Sequence, residues 1–429
     1  MSYSFQKEYT LKAQTPLIHF QSDMQGATLR ATEVKPKLDR YIKSRLKREN
    51  RQLSDDWIIK NSPKEALNYK MQIVKKGNAQ PFDMGMAEWI NNRNVKIYGI
   101  FYGNTGVNDE SEKKKGIKAD CKLTITCFIE ELQDYIDNII GDFFVVTNFG
   151  TMQNKGFGSF TVANKNVDIV ETLMNYYDAR HCYYFGVNVQ NVFLRINTVY
   201  SLMKSGINQS KGKGIGNGRN YISSFLFDYM LHEHQNRFVH EKARLKSTGV
   251  APAVKKTGIV QNSKGKWVSE FVQDDEPINN PNAEFRYVRA LFGIGENIRF
   301  NDVNKPNNDV PSVNVSIAHN YECDGLNKKE KIDRFPSSIF FKVINNTVYY
   351  VAVPIDESIY GKTFCFSARG RGSVNIKVPE KDELSNNFQD EFLEYAYGRL
   401  NDCIRNRTGE NALEWLRGMQ LRKVERTSD

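Results

Sequence analysis

The stretch Thr147-Asn-Phe-Gly-Thr-Met-Gln-Asn-Lys-Gly-Phe-Gly-Ser-Phe160 is what most limits how this chain can fold. It lies between two apolar runs that read as strands, Phe143-Phe-Val-Val146 and Phe160-Thr-Val162. Gly150, Gly156 and Gly158 admit positive φ and leave no side chain between the main chain and an approaching group. With Asn154, Lys155 and Ser159 beside them, the backbone N–H groups offer a seat for a phosphate. Phe157 and Phe160 supply rings on which a base can stack. No Gly-Lys-Ser/Thr follows, which disfavours a nucleoside triphosphate loop. Small residues, one cation and flanking rings suit an RNA strand; the alternative is a glycine-rich hairpin turn.

A length of 429 residues allows two domains of ordinary size, and 40% hydrophobic content supports real cores. The formal net charge of +10 favours a polyanionic partner. No stretch approaches eighteen consecutive apolar residues, and Met1-Ser-Tyr-Ser-Phe-Gln-Lys-Glu8 has no apolar signal core. Six scattered cysteines without a Cys-x-x-Cys pair point to packed, reduced thiols and a cytoplasmic protein, with no zinc site and no cofactor.

Along the chain, residues 5–20 read as a first strand. Lys35 to about Asn50 reads as a basic helix whose Leu38, Tyr41, Ile42 and Leu46 share one face. Residues 50–93 mix charges with Gly and Asn and are expected to form an insertion. Val95–Tyr102 and Lys122–Ile129 alternate as strands do, and Glu130–Ile140 is amphipathic. In the second half Val192–Tyr200 reads as a strand, followed by a Gly/Lys run through Arg219 in which Lys211, Lys213 and Arg219 can close on phosphates. Asn220–His240 reads as a helix, 246–283 as a long loop, and Asp390–Leu416 as a helix. Asp333–Val343 and Thr347–Val353 read as a hairpin turning on Asn345-Asn346.

The order strand, helix, strands, helix, strand suits a βαββαβ ferredoxin-like domain over about 1–165. Together with the segment Ala31-Thr-Glu-Val-Lys-Pro-Lys-Leu-Asp39 and the later Asn154-Lys-Gly-Phe-Gly-Ser-Phe160 loop, it resembles the RAMP superfamily of CRISPR proteins. Against that family's helix motif, Ala31 and Pro36 replace glycines, Glu33 replaces a serine, and Asp39 replaces an arginine that recurs one place later as Arg40. Asp333-Arg-Phe-Pro-Ser-Ser-Ile-Phe-Phe341 resembles a second family strand. Two such units without a fused polymerase or nuclease resemble the first subunit of Cmr-type (type III-B) effector complexes. The resemblance implies an α+β protein of two ferredoxin-like, RRM-like domains with long insertions, at 1–165 and 166–429. Its implied partners are crRNA and/or target RNA and other effector subunits, with no membrane. Its implied RNA contacts are Arg30, Lys35, Lys37 and Arg40, the loop residues Gly150, Asn154, Lys155, Gly156, Phe157, Gly158 and Ser159, then Lys211, Lys213, Arg219 and Arg334.

Catalysis is the competing class, since some RAMP proteins cut repeat RNA without metal, using a histidine near the first helix. His19, beside Phe20, is the sole histidine before residue 181, and it reads as packed. His232, His234 and His240 do not share a helical face. The expected role is therefore a non-catalytic RNA-binding subunit, with no metal. A loop acid such as Asp23 or the Asp55-Asp56 pair is the alternative source of chemistry.

Overall fold

The computed structural model describes residues 4–19, 28–62, 65–82, 87–90, 93–96, 116–187, 192–210, 219–233, 238–252, 255–261, 267–273, 284–295, 297–301, 312–319, 335–406, 413 and 416–426. They cluster into two compact units. The first comprises 1–196, 340–351 and 422–429; the second comprises 197–339 and 352–421. The stretch 166–196, read in the sequence with the second half, clusters with the first unit.

In the first unit β1 (Gln6–Ala13), α1 (Ala31–Arg48), β2 (Lys70–Phe82), β3 (Gly116–Thr126), α2 (Glu130–Val146) and β4 (Phe160–Val162) follow one another. Their strands pair in the order β2-β3-β1-β4, the ferredoxin-like arrangement. β1 runs antiparallel to β3 with Leu11 opposite Cys121, and to β4 with Leu11 opposite Val162. Tyr9, Leu11 and Ala13 alternate inward with Cys121, Leu123 and Ile125, so one sheet face is apolar and buried. β2 lies within the expected insertion, yet it is a full sheet strand on β3, with a bulge between Lys76 and Gln80.

α1 begins at Ala31, a turn ahead of its expected start, and contains Pro36. Val34, Leu38, Tyr41, Ile42 and Leu46 form its buried face, as the spacing predicts. α2 carries Glu130 and Glu131 in its first turn, where negative charge suits the helix dipole. The run Phe143–Val146, expected as a strand, is the last turn of α2, buried on all sides. A short apolar run has no period to separate a buried strand from a buried helix end.

A second sheet repeats the pattern. α3 (Ile169–Tyr177) precedes β5 (His181–Gly186), α4 (Val192–Lys204), β6 (Ile339–Ile344), β7 (Thr347–Ala352), α5 (Phe388–Asn406) and β8 (Leu421–Glu425). Its strand order is β6-β7-β5-β8, the same rule applied to the new strands. β7 pairs antiparallel with β5, Thr347 opposite Gly186 and Val351 opposite Cys182. The β6–β7 hairpin turns on Asn345 and Asn346, both at positive φ (48° and 60°), as its Asn-Asn pair predicts. α4 corrects the strand reading of Val192–Tyr200, whose β-branched and aromatic content hides a helical period at Val192, Ile196, Val199 and Met203.

The second unit holds a six-stranded sheet built from Phe238–His240, Glu284–Arg286, Gly372–Lys377, Thr363–Ala368, Ser312–His319 and Asn297–Asn301. The helix expected over 220–240 is confined to Phe225–Glu233. Tyr221 instead lies in a ribbon pairing Ile207–Ser210 with Arg219–Ile222. Part of the expected 246–283 loop is a hairpin, Lys255–Gln261 on Trp267–Gln273. Phe292, Phe388, Phe392 and Tyr229 meet at edge and tilted angles in this unit's core.

Candidate RNA interface

The glycine-rich segment is a knot of internal bonds. Phe149 N–H donates to Gly158 O at 3.0 Å, Gly158 N–H to Pro16 O at 2.8 Å, and Thr151 N–H to Ile18 O at 2.8 Å. Gly150 N–H donates to the Glu33 carboxylate at 2.6 Å, and Ser159 N–H to Thr15 Oγ1 at 2.9 Å. Lys155 and Gly156 N–H close turns on Met152 O and Gln153 O. These donors, expected to face a phosphate, are consumed by the protein. Glu33, which replaces a serine in the family motif, is one of the acceptors.

The rings are consumed as well. Phe157 is fully buried and stacks on Phe193 at 3.8 Å with 5° between planes, so the expected base platform is a core contact. Phe160 is buried against Phe149. Asn154 O accepts from Phe341 N–H, and the Ser159 hydroxyl donates to Val343 O at 2.7 Å. Lys155 is half-buried, and burial lowers its pKa.

Lys342, an unforeseen participant, is completely buried. Its ammonium donates to Phe144 O at 2.6 Å, Thr147 O at 2.9 Å, Asn148 Oδ1 at 3.0 Å and Phe160 O at 3.4 Å. Burial, then the like charge of Lys37, pushes its pKa well below the usual lysine value. A lysine inside a β-branched strand carried no sequence signal of this role.

The α1 cations divide into two groups. Lys35 sits 3.0 Å from Asp39 Oδ2, donates to Leu67 O at 2.9 Å, and lies 4.1 Å over the Tyr69 ring. Asp39, the acid standing in the family arginine's place, also accepts from Tyr69 Oη at 2.7 Å and Leu67 N–H at 3.2 Å. Lys37 donates to Asn148 O at 2.9 Å and Gln153 Oε1 at 2.8 Å, anchoring the glycine loop; burial lowers its pKa. Arg30 is the half-buried residue preceding α1.

Arg40, Lys47 and Arg48 remain exposed on the outer side of α1. Arg48 lies 4.7 Å over the half-exposed Tyr176 ring, itself 5.4 Å from Tyr41. Burial raises the Tyr176 pKa, and the charges of Arg48 and Arg40 oppose that rise. Tyr176 went unforeseen, because a Tyr-Tyr pair ending a short helix has no motif.

Of the remaining expected contacts, Lys211, Lys213 and Arg334 lie outside the described residues, and Arg219 is described only as backbone of the 207–222 ribbon. His19 is buried with Nε2 3.1 Å from Thr28 O. Asp55 and Asp56 are exposed; Asp23 and His234 lie outside the described residues. Among the described residues no group of three or more His, Cys, Asp and Glu side chains could hold a metal ion.

The second unit encloses a charged cluster of its own. Glu241 is fully buried and paired with Arg289, and the neighbouring Lys242 donates to Ser205 O at 3.0 Å. Burial first, then Arg289 and Lys246, brings the Lys242 pKa down to about 7, against an opposing pull from Glu241. Between that value and the roughly 10.4 of an unfolded lysine, the unfolded chain binds the extra proton, so stability rises with pH. Lys242→Met is expected to flatten that rise by up to about 1.4 kcal/mol per pH unit. Denaturant midpoints from pH 7 to pH 10 for both proteins check it; parallel slopes would contradict it.

Two ferredoxin-like sheets in one chain, the first with a glycine-rich loop leading into its last strand, define a tandem protein of the RAMP class. Residues 4–207 match the model of the Cmr1 N-terminal domain, and residues 221–422 that of the Cmr1 C-terminal domain. The chain belongs to the Cmr1 family, subunits of type III-B CRISPR effector complexes. The crystal structure of Cmr1 from Pyrococcus furiosus in its apo form is similar over 49% of this chain and 79% of that one, at 10% identity and a TM-score of 0.30. No curated protein matches the chain. No helix among the described residues is long and apolar enough to cross a membrane.

Proposed function

We propose that this chain is a non-catalytic RNA-binding subunit of its effector complex, holding crRNA or target RNA in the cytoplasm. The observation that carries this reading is the exposed pair Arg40 and Arg48 beside Tyr176, with Lys47 exposed on the same helix. Arg48 donates to Asn175 O at 3.1 Å and Ser44 Oγ at 3.2 Å and Arg40 to Pro36 O at 3.3 Å, yet both side chains stay exposed beside a ring on which a base can stack. The net charge of +10 supports the same reading. Lys35 and Lys37, expected in the RNA path, contribute indirectly by setting α1 against the loop and Tyr69.

Arg40→Ala with Arg48→Ala should weaken binding of single-stranded RNA and lower the slope of log affinity against log salt by roughly 1.4, about 0.7 per lost phosphate contact. Lys113→Ala with Lys114→Ala, which removes the same charge elsewhere, is the control. Equal losses in the two variants would reduce the effect to net charge and remove α1 from the RNA path. Incubating the wild-type chain with CRISPR-repeat RNA in EDTA tests the non-catalytic half: discrete cleavage products would make it an endoribonuclease.

A further inference from the structure

Within the first unit a cleft of about 160 Å³ opens between the ends of β1 and β2 and the β6–β7 hairpin. Seating one water takes roughly 10–15 Å³ by the same measure, so there is room for an object the size of a nucleobase. Its walls are apolar: Pro16, Pro81, Val187, Val192, Phe193 and Val343. Phe193 is held flat by its stack on Phe157, and Val187 is pinned through its N–H to Asn346 O at 2.8 Å. The rim is polar, and its groups divide cleanly. Gln14 bonds Thr161 and the Asn345 N–H, and Thr15 bonds Gly156 O and the Ser159 N–H, so both are occupied. Gln80, Lys118 and Asn346 line the same cleft, and among the described residues their side chains make no hydrogen bond.

We infer that this cleft receives one unpaired nucleoside of the bound RNA; the inference rests on the RNA-binding reading above. Flat apolar walls match the faces of a base, and two side-chain amides offer the paired donors and acceptors that read a base edge. A single ammonium, Lys118, matches the single charge of a phosphodiester and falls short of what a triphosphate requires. The glycine loop lines no part of the cleft and backs two of its lining residues, Thr15 through Gly156 O and Phe193 through Phe157. It fixes Thr15 and Phe157 in place, and it leaves recognition to the rim.

The test uses the full-length protein with AMP, GMP, CMP and UMP as separate probes, observed by saturation-transfer NMR, and thiouridine-substituted RNA for photocrosslinking. At least one monophosphate should bind saturably, and crosslinks should map to peptides carrying Gln80, Lys118 or Val187. Val187→Trp, which fills the cleft, should abolish both signals. Lys118→Gln, a substitution at a half-exposed position whose charge also acts on Asp120, should weaken monophosphate binding about fivefold with little change in melting temperature. No saturable binding of any monophosphate, or crosslinks confined to other surfaces while RNA affinity persists, overturns the cleft and leaves the RNA-binding reading standing. Crosslinks from the cleft to a co-assembled protein, with none to RNA, overturn it also. Absence of RNA affinity in the wild-type chain removes both readings together.

Discussion

Gly158→Ala is expected to destabilise the first unit by about 3–5 kcal/mol, enough to leave much of the protein unfolded at 37 °C. Gly158 sits at φ +64°, and a Cβ there would lie 2.0 Å from Phe149 O and 2.8 Å from Phe149 C. Both are backbone atoms, and no side-chain rotation relieves the overlap. The Phe149 backbone cannot retreat cheaply, because its N–H is bonded to Gly158 O and the Gly158 N–H to Pro16 O. Gly77→Ala is the matched control: Gly77 has a similar φ of +73° but open space around it, so only the strain of about 1 kcal/mol should appear. Chemical denaturation of both variants checks this. A Gly158→Ala protein as stable as Gly77→Ala would show that the loop is not packed as described. RNA affinity in Gly158→Ala should fall only as the folded fraction falls, since the loop's N–H donors are spent internally.

Lys342→Met should cost about 2–4 kcal/mol. Methionine fills much of the volume but satisfies none of the four oxygens that the ammonium meets, and buried acceptors left unpaired carry their full desolvation penalty. The loss should be cooperative with the Gly158 change, because both act on the junction of α2, the loop and β6. Lys12→Met gives the comparison. Lys12 is exposed and pairs with Asp120 at 2.7 Å on the open sheet face, where such a bridge contributes at most about 1 kcal/mol. Equal melting temperatures for the Lys342 and Lys12 variants would refute the buried role.

Much of the architecture was legible in the chain. A first strand within residues 5–20, alternation in β3 from Lys122, the 3.6-residue period of α1 and the Asn345-Asn346 turn each depend on neighbours in sequence and are legible there, although β1 stops at Ala13 and β3 at Thr126. The glycine loop was read correctly as a place where the backbone must take positive φ. Its purpose was not. Whether an N–H faces a ligand or a carbonyl of Pro16 or Ile18 depends on residues more than a hundred positions away, which no local pattern encodes.

The same limit explains the other reversals. Phe143–Val146 and Val192–Tyr200 are rich in strand formers, yet tertiary packing placed them in α2 and α4, and burial outweighed local propensity. Four lysines on or near the expected RNA path, Lys35, Lys37, Lys155 and Lys342, carry the same charge in the sequence as Arg40 and Arg48. Only the fold sorted them, because solvation is a property of position: a cation surrounded by carbonyls belongs to the core, and one left facing water is available to phosphate. By itself the sequence determined the family, the tandem ferredoxin-like plan and the basic character. The tertiary structure decided which cations and which glycines hold the scaffold, and left Arg40, Lys47 and Arg48 exposed to solvent, because burial is set by contacts distant in sequence.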